Sequence, residues 1–312
     1  RFAALTNSDL LDGDNDWKIS LSADEKAKTL TITDNGIGMD EEALVENLGT
    51  IAHSGTKEFL AQMEKGAKDN PDLIGQFGVG FYSSFMVADR VTVETKQHGK
   101  EAVRWVSEGT GSFTLDEGTL DQRGTSVTLH LKEDASEYLE EYRLRELVKK
   151  FSDFVEHPVT MRVTRTEGEE DDKKEVETEE TLNTQKAIWL RSKNEVSDEE
   201  YNEFYKHVSH DFSDPADVIH YAAEGAMEFK ALLFIPAKKP FDMMMGGGDQ
   251  KAHLNLYVQR VFISNEFENL LPTYLRFVKG VIDAADLPLN VSREILQENP
   301  QLDQIRRNIV SR

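Results

Sequence analysis

The chain has 312 residues, 38% hydrophobic and 30% charged, with 58 acidic against 36 basic side chains and a net charge of −22. That length points to about two domains, and the charge repels phosphate backbones, which argues against nucleic acid as a main partner. The absence of cysteine excludes a disulfide framework or thiolate metal site and fits a reducing, cytoplasmic compartment, while no apolar run approaches the ~18 residues that span a bilayer and no signal-peptide pattern occurs, so no membrane partner is expected.

In chain order, WKISLS and TLTIT alternate in polarity around the polar turn ADEKAK and predict an antiparallel hairpin over residues 17–33. Asp40 stands where an N-cap would open a helix over DEEALVENL, ended by Gly49. IAHSGTKEFLAQMEKGAKDNPDL follows, a helical piece broken at Ser54-Gly55, with the composition of a mobile lid over residues 49–74. Strands resume at VTVETK, AVRWVSE and SVTLHL, which makes the first part an α+β domain with a mainly antiparallel sheet. From Glu167 to Glu180 nine acidic residues face two basic ones, as in a solvated linker. A second domain then carries the amphipathic helix SDEEYNEFYKHVSH, strands MEFKALLFI and LNLYVQRVFI, and further helices. The expected division is 1–165, a linker 166–182, and 183–312. Arg1 is not a Met and Arg312 falls within a helical pattern, so the chain is expected to be a piece of a longer polypeptide.

Two glycine clusters carry candidate chemistry. In TITDNGIGMD, Asp34 ends a strand and is followed at once by Gly36 and Gly38. Such a turn clears backbone so that something flat can reach a carboxylate. In GQFGVGFYSSFMVA, Gly75, Gly78 and Gly80 precede an apolar helical stretch, and a glycine-rich loop opening a helix offers free N–H groups to phosphates. Its G-x-x-G-x-G spacing is neither the dinucleotide fingerprint nor a Walker loop. A third piece, Gly124-Thr125-Ser126, opens a later strand. The three in this order are far more specific than any one alone.

That order resembles the gyrase, histidine-kinase and mismatch-repair ATPase superfamily. NLGTIAHSGTKEF, IGQFGVGFYSSFMVAD, SDEEYNEFYK, LYVQRVFI and LPLNVSREILQ are similar, across essentially the whole chain, to the heat-shock protein 90 chaperones of the bacterial high-temperature protein G kind. The resemblance implies a Bergerat-type ATP-binding α/β sandwich, mainly antiparallel with helices on one face, followed by an α-β-α middle domain. It implies ATP or ADP with Mg²⁺, protein clients, a homodimer and an ATP-driven clamp cycle. By resemblance, Asp34 accepts a hydrogen bond from the adenine amino group, Gly38 gives the base and a water room to approach, and Thr125 completes that water network. Met39 and Phe81 resemble apolar walls, and Asn47 reaches the sugar and phosphate side. The amides of Gly75, Gln76, Phe77, Gly78, Val79, Gly80 and Phe81 resemble the phosphate cradle. Arg293 resembles the arginine that reaches the γ-phosphate, with Gln297 on the same helix face. His53 stands where many relatives have Lys or Arg. The family's glutamate that activates water and the asparagine that binds magnesium fall on a helix before Arg1, so the chain as given is expected not to turn over ATP. A topoisomerase or mismatch-repair ATPase, or a nucleotide-gated binding module without turnover, are the rival readings, and the charge of −22 argues against DNA.

Elsewhere, Tyr201, Phe204, Tyr205 and Trp189 read as core. His207, His210 and His220 flank a helix end with no ligand set for a metal. Phe241, Met243, Met244 and Met245 precede three glycines in FDMMMGGGDQK, a flexible apolar loop suited to loose client contact.

Overall fold

The computed structural model describes residues 8–11, 13–14, 16–49, 80–167, 174–223, 228–239, 254–265, 270–284, 287 and 300–312. The chain divides into two compact units, Arg1–Gln185 and Lys186–Arg312.

In the first unit eight strands form one sheet in the order β5-β4-β3-β6-β2-β1-β7-β8. The hairpin expected at residues 17–33 is β1 (Ile19–Asp24) and β2 (Thr29–Asp34), paired from Ile19↔Asp34 to Asp24↔Thr29. β2 pairs on its other side with β6 (Gly124–Leu131), β6 with β3 (Ala88–Lys96), β3 with β4 (Val103–Ser107) and β4 with β5 (Phe113–Glu117). β7 (Val159–Glu167) lies parallel to β1, and every other described neighbour in this sheet is antiparallel. Alternation explains the layering. Leu30, Val91, Val93 and Leu129 point to one face, where they share a core with Leu44 of helix α1 (Glu41–Gly49) and with Leu144 and Val148 of a later helix. The opposite face carries hydroxyl pairs, Thr31 with Thr128 and Thr33 with Ser126, each 3.0 Å apart. Asp40 caps α1 as expected, its Oδ1 accepting from the Ala43 amide at 3.1 Å. The apolar stretch after Gly80 is a 3₁₀ turn (Gly80–Ser83) and a single α turn, α2 (Ser84–Val87), before the chain enters β3. The later helix, α3, spans Glu141–Phe151.

Where the acidic run suggested a spacer over 166–182, residues Lys174–Thr181 form strand β8, paired with β7 at the sheet edge. Its charges find partners on both sides. Glu179 sits 3.0 Å from Lys18 and accepts from Thr160, and Glu180 pairs with Arg145 and with Arg165 at 2.8 Å. Each of these pairs is exposed and weakened by solvent, but together they set basic side chains against the acidic run.

The second unit is a five-stranded sheet, β12-β11-β13-β10-β9. Successive residues of β10 (Phe229–Pro236) are buried on both faces. Phe229, Ala231 and Leu233 join a core with Leu302, Ile305 and Ile309 of α5 (Pro300–Val310). Phe234, on the other face, meets Phe204 and Tyr205 of α4 (Asp198–Ser209) at 6.1 and 5.3 Å between ring centroids. Helices therefore cover both faces, which is the expected α-β-α order. Ser197 and Glu200 close a capping box on α4. LNLYVQRVFI is not one strand but two, β11 (Asn255–Val258) and β12 (Val261–Ser264), turned at Gln259 and Arg260 with φ of 51° and 65°. Such a turn usually announces itself with Asn-Gly, and here no glycine marks it. β9 spans Pro215–Ala223 and β13 spans Lys279–Ala284.

Candidate functional site

Asp34 closes β2 directly opposite Thr125 of β6. Its Oδ1 accepts from the Gly36 amide at 2.7 Å, so the carboxylate folds the turn back upon itself. Burial pushes the Asp34 carboxyl above the ordinary carboxylate value, against the opposing pull of the Gly36 and Thr125 amides and the Arg123 charge. The site thus holds a carboxylate that is short of solvent and poised to accept.

Gly38 is required by the chain itself. Its φ is +66°, and a Cβ there would lie 1.9 Å from the Lys96 carbonyl oxygen. The close approach of the Lys96 carbonyl on β3 thus fixes glycine at this position. At Gly80, by contrast, an added Cβ meets nothing within 4 Å.

Thr95, fully buried on β3, ties these pieces together. Its Oγ1 accepts from the Met39 amide at 2.9 Å, reaches the Gly124 carbonyl at 3.0 Å, and lies 3.1 Å from the Thr125 hydroxyl. Asp34, Gly38, Met39 and Thr125 therefore meet in one cluster. Phe81 packs edge-on to Trp105 at 5.6 Å, and both Phe81 and Met39 lean on the first unit's core. Tyr82 donates to the Leu48 carbonyl at 2.9 Å, which fastens the turn after Gly80 to α1. Asn47, on that helix, donates from Nδ2 to the Ala43 carbonyl at 2.7 Å.

Three contributors escaped the sequence reading: Thr95, Tyr82 and Arg123. Thr95 looked like an ordinary position in VTVETK, and nothing local to Arg123 separates it from a surface arginine. His53, Gly75, Gln76, Phe77, Gly78, Val79, Arg293, Gln297, Phe241, Met243, Met244 and Met245 lie outside the described residues. His220 is engaged in the second unit by Tyr201 and the Trp189 carbonyl.

Residues 11–136 match the family model for the histidine kinase-, DNA gyrase B- and HSP90-like ATPase. Residues 137–181 and 167–312 match that for the Hsp90 protein. Chaperone protein HtpG of Geobacter metallireducens is 54% identical over 324 residues, covering 100% of this chain and 50% of the relative. The HtpG proteins of Paramagnetospirillum magneticum and Aliivibrio fischeri are each 50% identical, over 100% and 98% of this chain and 48% of theirs. The chain spans about half the length of the curated relatives it matches. With an ATPase-type sheet in its first unit and an α-β-α second unit matched along its length, the chain belongs to the Hsp90 protein family.

Proposed function

We propose that the first unit binds adenine nucleotides and that Asp34 accepts a hydrogen bond from the adenine amino group. The observation that supports this is the partly desolvated carboxylate at the strand end, held by the Gly36 amide and paired across the sheet with Thr125. Adenine offers a donor where guanine offers a carbonyl, so a fixed acceptor selects adenine. In the same reading Gly38 lies under the base, Met39 and Phe81 wall it, and Asn47 and His53 face the sugar and phosphates. The amides of 75–81 hold the phosphate oxygens. Magnesium would accompany the triphosphate. Among the described residues no group of three or more His, Asp or Glu could hold a metal ion.

In the longer protein we propose an ATP-dependent chaperone, a cytoplasmic homodimer whose clamp closes on ATP and resets on hydrolysis. Arg293 would dock on the γ-phosphate with Gln297 behind it. Phe241, Met243, Met244 and Met245 would offer an adaptable surface to partly folded clients. Calorimetry with ADP and GDP tests the base. ADP should bind and GDP should not, and Asp34→Ala should weaken ADP about ten- to a hundred-fold, the ~1.5–3 kcal/mol of a hydrogen bond to a charged group. Unchanged ADP affinity in Asp34→Ala would sink the assignment.

A further inference from the structure

Arg123 immediately precedes Gly124 and Thr125, and its side chain is only 5% exposed. A buried guanidinium is costly unless its donors all find acceptors. Here Nε donates to the Leu11 carbonyl at 2.8 Å, Nη1 to the carbonyls of Asn35 and of Gly36 (the latter at 2.9 Å), and Nη2 to the Asp14 carbonyl. The Asp14 carboxylate lies 3.6 Å away, and the guanidinium stacks over the Trp17 ring at 5.1 Å. Carbonyl dipoles from two separate stretches thus solvate one charge. One stretch is the turn that follows Asp34, and the other supplies Leu11, Asp14 and Trp17. Asn35 sews the same seam: its Oδ1 accepts from the Lys18 amide at 2.8 Å and its Nδ2 donates to the Asp16 carbonyl at 2.7 Å. Only arginine offers five donors in a rigid plane, so a lysine could not bridge both stretches.

We propose that Arg123 is the positioning residue of this site, holding the Asp34–Gly36 turn so that the carboxylate is presented, and joining that turn to Leu11, Asp14 and Trp17. A change at Asp34 is then transmitted to Trp17. The proposal rests on the nucleotide reading only for the identity of the ligand that occupies the turn.

The test uses this chain labelled with 5-fluorotryptophan, with the Trp17 fluorine resonance identified by its loss in Trp17→Phe. Asp34→Asn should shift that resonance when Arg123 is present and leave it in place in an Arg123→Met background. The energetic counterpart is amide hydrogen exchange in Arg123→Lys. The Gly36 amide should exchange at least ~10-fold faster while that of the buried sheet residue Val93 keeps its rate, which marks local rather than global opening. If Arg123→Met does not fold, Arg123→Lys serves in both arms, since it keeps the charge and loses the fork. A Trp17 shift that persists without Arg123, or Gly36 and Val93 accelerating together, would overturn the proposal and leave a merely structural arginine. Both readouts are taken without nucleotide. Failure of ADP to bind would therefore remove the nucleotide reading and leave Arg123 to be judged on these results.

Discussion

The hydroxyl oxygens of Thr95 and Thr125 lie 3.1 Å apart on neighbouring strands, with the Met39 amide and the Gly124 carbonyl completing the shell of Thr95. One buried hydroxyl thus links the glycine turn after Asp34 to the start of β6. Thr95→Val keeps the shape and removes the oxygen, so the Met39 amide loses its acceptor. An unsatisfied buried group costs about 1–3 kcal/mol, and denaturant unfolding of the first unit should show a loss in that range. Thr95→Ser retains the oxygen and should lose only about 0.8 kcal/mol for one methyl. Equal losses in the two variants would mean that packing, not the hydrogen bonds, matters at this position.

Asp34 should weaken the fold that it serves. Its carboxyl is pushed up by burial, so the ionised form is disfavoured in the native state. A raised folded value means that the group's favourable contribution is present below the unfolded value, near 3.8, and is lost as pH rises through the folded one. Asp34→Asn should therefore be more stable than the parent at pH 7, with the gap closing below pH 3.8. Denaturation midpoints of both proteins across that range decide it, and a parent that is the more stable at neutral pH would contradict the sign.

His220 predicts the opposite slope in the second unit. Its Nε2 donates to the Trp189 carbonyl at 3.2 Å, which leaves Nδ1 to accept from the Tyr201 hydroxyl at 2.6 Å. Burial chiefly, with Lys193 and Lys230 adding, lowers its pKa below 6.5, and the Trp189 carbonyl opposes this only in part. The stability that this neutral ring contributes is whole above about pH 6.5 and falls as pH drops through the folded value. Fluorescence of buried Trp189 during denaturation at pH 7.5 and pH 5 should show the loss. His220→Leu should lower stability at both values and flatten the difference.

On the proposed reading, in a protein of the relatives' full length, Arg293 should separate turnover from binding. ADP lacks the γ-phosphate that a forked guanidinium would hold. Arg293→Ala should lower kcat at least ~10-fold and leave ADP affinity within about twofold, the pattern of a contact made on the way to the transition state. Normal steady-state turnover in that variant would assign Arg293 to a surface ion pair worth under ~1 kcal/mol.

What the residues determined unaided is local. Period-two alternation placed β1 and β2, and Asp40 marked a helix start through an oxygen that caps the amide three residues on. The order of Asp34-Gly36-Gly38, the G-x-x-G-x-G loop and Gly124-Thr125 was also legible, because each motif states its own backbone requirement. Tertiary structure alone decided the rest. Gly38 is obligatory because the Lys96 carbonyl, 58 residues away, closes upon it. Gln259 and Arg260 turn a hairpin at positive φ because Val258 and Val261 pair on either side of them. The acidic run became an edge strand because Lys18, Arg145 and Arg165 stand where its carboxylates fall. Arg123 and Thr95 read as ordinary residues until strands distant in sequence bring acceptors and donors around them. Hydrogen bonds and charges act over a few ångströms in space, and sequence spacing measures that distance only within a single helix or strand.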